Sequence, residues 1–300
     1  MSDTTLQSND ATDARQGDIV VGVDGSDESF AALRWALGEA SLTGQRVNAV
    51  YAWSHSWDTG SQPEDEEQWA EKRHDIARRL REWVVQASQG MTIDENRVTL
   101  TSVKATGTSA LLEIGKDAQQ IVVGRRSLGR VARWFLGSLS ASLAEEAKVP
   151  VTVVRILDDE EASVQNAIAN ALTPVDETVS YEMPGSPLPH SQRPVVVGVD
   201  GSEISKHALH FAIEFAALHH APLQVMFCWQ LKDLGTVKGY ENAVAPIAVG
   251  QEHAERMLDE LLDSVQVPAQ DIPDDFRIES HAFHISAAKG LIEASRYARH

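Results

Sequence analysis

Short apolar, β-branched runs alternate along this chain with longer stretches whose apolar residues recur at i, i+3 and i+4. Residues 19–23 read IVVGV, too short for a helix and rich in valine, which predicts a buried strand. Asp24, Gly25 and Ser26 break it. Residues 29–42 then place Ala32, Leu33, Ala36, Leu37 and Ala40 on one face, the pattern of an amphipathic helix. A second strand is predicted over Val47–Trp53, followed by a polar loop at 54–65. The charged stretch 66–89 has an apolar side made of Trp69, Ile76, Leu80, Trp83 and Val84 and reads as a helix. Further strands are predicted at 97–103, 121–124 and 149–155, with helices at 109–118 and 137–148. Strands alternating with helices predict an α/β fold whose parallel sheet is covered on both faces.

The chain repeats itself. Residues 20–26 read VVGVDGS, and residues 196–202 read the same string. Matches continue at that spacing: Ala32 with Ala208, Leu33 with Leu209, Ala36 with Ala212, Ala40 with Ala216 and Trp53 with Trp229. A shared string followed by matches at helical period marks a duplicated domain. The expected organisation is a disordered, polar tail at 1–16, a complete domain at 17–157, a linker at 158–193 and a truncated second domain at 194–300. The linker opens acidic and turns proline-rich, with a short helix predicted at 164–172. Leu111, Leu112 and Glu113 of the first copy correspond to Leu291, Ile292 and Glu293 of the second. The sequence stops at His300, before any counterpart of the first copy's fourth and fifth strands. The fold expected is therefore two tandem doubly wound parallel-sheet domains, the second lacking strands four and five.

Composition narrows the function. Hydrophobic residues make up 43% and charged residues 23%, enough to bury a sizeable core. The formal net charge of -18 argues against a protein that coats nucleic acid, since that binding needs clustered basic charge. The one cysteine, Cys228, excludes a disulfide framework and a cysteine-based zinc site, and it reads as a buried, inert thiol. Residues 1–16 hold no apolar signal-like core, and no apolar run approaches the ~18 residues of a membrane span. A cytoplasmic protein that engages neither membrane nor nucleic acid is expected.

Residues 121–142 carry the candidate chemistry. A strand ends at Gly124, a loop with Gly129 and Gly137 follows, and Ser138 opens a helix. Glycines allow close backbone approach, and the first N–H groups of a helix attract anions. Arg125, Arg126, Arg130 and Arg133 fall here, and no acidic residue occurs between Asp117 and Glu145. In so acidic a chain this local inversion suits a phosphate. The same glycines and arginines also read as turn residues and solvated side chains. There is no GxxxxGK[ST] string, no catalytic Ser/His/Asp set and no metal-ligand cluster to name.

This segment resembles the universal stress protein signature G-x2-G-x9-G-[ST]. Gly124 matches the first glycine, Gly137 the last and Ser138 the hydroxyl, while Ser127 stands where the family has its second glycine. The opening VVGVDGS is also typical of that family. The resemblance implies a strand order of 3-2-1-4-5 and an adenine nucleotide at the strand C-termini, where open α/β sheets bind ligands. Asp24 and the backbone around Ala52 would face the adenosine. Gly124, Arg126, Ser127, Gly129, Gly137 and Ser138 would surround ribose and phosphates. A Cβ at Ser127 costs about 1 kcal/mol if the backbone there needs positive φ. The implied cofactor is ATP, with or without Mg2+. The implied partner is a second copy of the chain, joined through the fifth strand from Val149 to Arg155. The role implied is a stress-response regulator without a catalytic base, so fast hydrolysis is not expected. Two other readings stay open at this point: a decayed site that works only through protein contacts, and an adenylating or ATP-cleaving enzyme on a related fold.

Overall fold

The computed structural model describes residues 17–53, 66–125, 138–156, 193–232, 234–235, 237–241, 243–265, 272–273, 275–295 and 298. The side chains of Trp69 and Ser138 lie outside that description, as do the predicted loop at 54–65 and the predicted helix at 164–172. The chain divides into two compact units, Met1–Leu157 and Asp158–His300.

In the first unit, β1 (Ile19–Gly22), β2 (Val47–Trp53), β3 (Val98–Lys104), β4 (Gln120–Gly124) and β5 (Val151–Val154) form one sheet in the order β3-β2-β1-β4-β5. Every pairing is parallel, with Val21 opposite Ala49 on one side and Val122 on the other. The helices are α1 (Asp27–Thr43), α2 (Glu66–Ala87), α3 (Gly107–Ile114) and α4 (Ser138–Glu146). Alternation along β1 builds two cores. Ile19 and Val21 pack with Leu33 and Leu37 of α1 and with Leu80 and Val84 of α2. Val20, facing the other way, packs with Leu111 of α3, Ile121 and Val123 of β4, and Leu143 of α4. Helices on both faces explain why the strands read as continuous apolar runs rather than as alternating ones.

Local chemistry sets the element ends. Ser26 caps α1 by accepting the backbone N–H of Ser29 at 3.2 Å, so the helix starts two residues before the apolar pattern shows it. Gly44 closes α1 with φ 74°, the left-handed conformation that favours glycine. The predicted helix at 109–118 instead ends at Ile114. A Cβ on Gly115 would lie 2.6 Å from both Ile121 and the Leu111 carbonyl oxygen, so only glycine passes there. A 3-10 turn, Glu95–Arg97, capped by Asp94, delays β3 to Val98. Arg34 donates to the carbonyls of Ala87 (3.2 Å) and Gln89 (2.8 Å), binding the end of α2 to α1.

The second unit repeats this start. β6 (Val195–Val199), β7 (Leu223–Trp229) and β8 (Ile278–His284) form a parallel sheet in the order β6-β7-β8, flanked by α5 (Glu203–Leu218), α6 (Ile247–Ser264) and α7 (Ala287–Ser295). Ser202 caps α5 with the same 3.2 Å bond from the Ser205 N–H. Leu291 lies against Gly198 as Leu111 lies against Gly22, which fits the pairing of those leucines across the repeat. Among the described residues this sheet has three strands, the counterparts of β1, β2 and β3.

Candidate functional site

In the order β3-β2-β1-β4-β5, the connection reverses direction between β1 and β4. A doubly wound sheet opens a crevice at the strand C-termini there, because successive helices leave toward opposite faces. The first unit has a cleft of about 200 Å3 at that place. Its walls include Asp24 and Ser26 after β1, Ala52 of β2, Gly107 of α3, Gly124 of β4 and Leu139 of α4.

Asp24 sits in a turn of its own making. Its Oδ1 accepts the Ser26 backbone N–H at 3.0 Å and the Ser26 hydroxyl at 2.6 Å. The turn needs Gly25, whose φ is 83°. The same turn recurs in the second unit, where Gly201 has φ 81° and the Ser202 N–H donates to Asp200 at 2.9 Å. There the Ser202 hydroxyl, and after it the Ser202 backbone N–H, hold the Asp200 carboxyl below the usual carboxylate range.

Gly124 has a structural cause that the sequence hides. A Cβ on it would lie 2.2 Å from the carbonyl oxygen of Glu28 and 2.8 Å from the Ser29 nitrogen. The first turn of α1 therefore crosses the end of β4 at backbone contact. That crossing brings the β1 turn beside the end of β4 and so forms the floor of the cleft.

Asp24, Ala52 and Gly124 are thus brought together. Ser138 begins α4, and its neighbour Leu139 lines the cleft. Arg126, Ser127, Gly129 and Gly137 lie outside the described residues. Gly107 and Leu139 line the cleft without a sequence reading that names them, and Leu111 is named there only as the counterpart of Leu291. The one available signal was Thr106, which caps α3 through the Ser109 N–H at 3.3 Å and so makes Gly107 the first residue of the helix that follows β3. Cys228 is partly buried, and burial pushes its thiol up to about 11, so it is protonated at neutral pH. Among the described residues no cluster of three His, Cys, Asp or Glu side chains could hold a metal ion, and no helix is long and apolar enough to cross a membrane.

The universal stress protein family model matches residues 17–155 and 192–287. A universal stress protein of Mycobacterium tuberculosis is 26% identical over 261 residues, covering 86% of this chain and 78% of its own. Another from Mycolicibacterium smegmatis is 30% identical over 219 residues, covering 70% of this chain and 63% of its own. The crystal structure of a universal stress protein from Archaeoglobus fulgidus superposes with a TM-score of 0.52 at 14% identity, covering 93% of this chain and 82% of that one; it is similar in fold.

Proposed function

The chain belongs to the universal stress protein family, and from that premise we propose that its first unit binds an adenine nucleotide, ATP by preference, and acts as a cytoplasmic regulatory or interaction module. The observation that carries this reading is the convergence of Asp24, Ala52 and Gly124 on one cleft at the reversal of strand order. Asp24 and the backbone at Ala52 meet the adenosine. The segment joining β4 to α4, with Arg126, Ser127, Gly129, Gly137 and Ser138, receives ribose and phosphates. Asp24 is the one carboxylate among the described lining residues, and this reading assigns it to the adenosine. Any Mg2+ is therefore carried by the phosphates themselves in this reading. Asp24 is already bonded by Ser26, and the described walls hold no histidine, lysine or cysteine. This supports a binder that retains ATP over an enzyme that turns it over quickly.

The same proposal includes a homodimer through residues 149–155. β5 is the outer strand of its sheet, Val153 on it is 38% exposed, and Ile156 just beyond it is 46% exposed. An apolar outer strand with open backbone groups pairs readily with another of its kind. The nucleotide reading is tested by mass spectrometry of the denatured, purified protein together with calorimetric titration. ATP or AMP released on denaturation, or saturable heat on adding ATP, is the expected result. A protein that carries no nucleotide and gives no heat with ATP overturns it.

A further inference from the structure

The β1–α1 turn that presents Asp24 is held from behind, and the two copies of the repeat hold it differently. In the first unit the ring of Trp83, on α2, lies on the Gly25 backbone: a Cβ there would meet Trp83 Cζ2 at 2.7 Å. Trp83 is itself fixed edge-to-face by Tyr51, with ring centroids 5.3 Å apart, and by Phe30 at 6.4 Å. Tyr51 immediately precedes Ala52 on β2, so one aromatic cluster touches both segments assigned to the adenosine. In the second unit the buried positions of α6 (Gly250, Ala254, Leu258 and Leu261) follow the register of Ile76, Leu80, Val84 and Ala87 on α2. That register sets Met257 in the place of Trp83. Met257 Cε indeed lies 3.5 Å from the Cβ position of Gly201, with Phe227 replacing Tyr51 at 3.9 Å.

The turn takes the same shape over either support, with φ 83° at Gly25 and 81° at Gly201. Trp83 is therefore not needed to form the turn. A ring locked between two others restricts the turn's motion, whereas a methionine, with three rotatable bonds, follows it. The rigid support stands in the unit whose turn faces the cleft formed with β4. We propose that Trp83 is a positioning residue for the nucleotide: it preorganises Asp24 and the backbone at Ala52 and so raises affinity by lowering the ordering cost of binding. The inference rests on the adenine-nucleotide reading of this cleft.

The test is a double-mutant cycle on the full chain, with ATP affinity measured by calorimetry. Trp83→Met installs the residue the second unit already uses, and Ser26→Ala removes the hydroxyl that both bonds Asp24 and caps α1, loosening the same turn while leaving Asp24 in place. Each single variant is expected to weaken ATP binding about five- to tenfold, and the double variant no more than the weaker-binding single one, because both act through the same turn. Should Trp83→Met fail to fold, Trp83→Phe takes its place in the cycle, with a smaller loss that likewise vanishes in the Ser26→Ala background. A Trp83 variant that binds ATP as the parent does, or losses that simply add, overturns the positioning role and leaves the nucleotide reading standing. A parent chain that binds no ATP overturns both.

Discussion

A Cβ at position 124 would meet the Glu28 carbonyl at 2.2 Å, a contact with backbone that no side-chain rotation relieves. Gly124→Ala must therefore push the first turn of α1 away from the end of β4. Overpacking of this kind costs about 1–3 kcal/mol, and a backbone neighbour places it at the upper end. The expected outcome is a lower urea midpoint with an unchanged m-value, together with weaker ATP binding, because the Asp24 turn moves with α1. An alanine variant of parental stability would show that α1 and β4 are further apart than described. The glycine reads from sequence as room for a ligand. The structure shows that the chain's own helix needs the same room.

Elements of this fold meet the rest of the molecule unequally. β1 is paired on both sides and its residues Ile19 and Val21 are fully buried, whereas β5 is paired on one side and leaves Val153 38% exposed. Val153→Asp therefore changes little within one chain and much at a seam between two. A charge buried there without a partner costs several kcal/mol, on the order of 3 or more. Light scattering is expected to give a dimer for the parent at about tens of micromolar and a monomer for Val153→Asp, with similar circular dichroism. A parent that is monomeric there, or a variant that dimerises as tightly, refutes pairing through β5.

For the molecule as a whole, two units share a turn, a helix cap and a leucine contact, yet only the first has a β4 beside that turn among the described residues. Calorimetric titration with ATP is expected to give a stoichiometry near one per chain. Abolition of that heat by a first-unit variant such as Asp24→Ala, with Asp200→Ala leaving it intact, would assign the site. Two equivalent sites would contradict the asymmetric reading.

The sequence by itself determined what depends on neighbours along the chain. The VVGVDGS strings, the serine caps and the helical spacing of Ala32, Leu33, Ala36 and Leu37 marked strand, turn and helix in both copies, because capping and amphipathic burial act within a few residues. It also carried the resemblance from which the strand order was expected. Element ends and the contacts beside them escaped it: α3 ends at Ile114, where Ile121 leaves no room for a side chain on Gly115, and a helical pattern alone runs on to residue 118. The resemblance put Asp24, Ala52 and Gly124 at one site, and only the tertiary structure decided which further residues share the cleft with them. Gly22 and Gly124 end paired strands, Gly107 and Leu139 begin separate helices, and Trp83 reaches the Asp24 turn from behind, all from positions far apart in sequence. Such meetings depend on strand order and on how helices cross the sheet, and a contact closed across so long a loop leaves no periodic trace in the residues that make it.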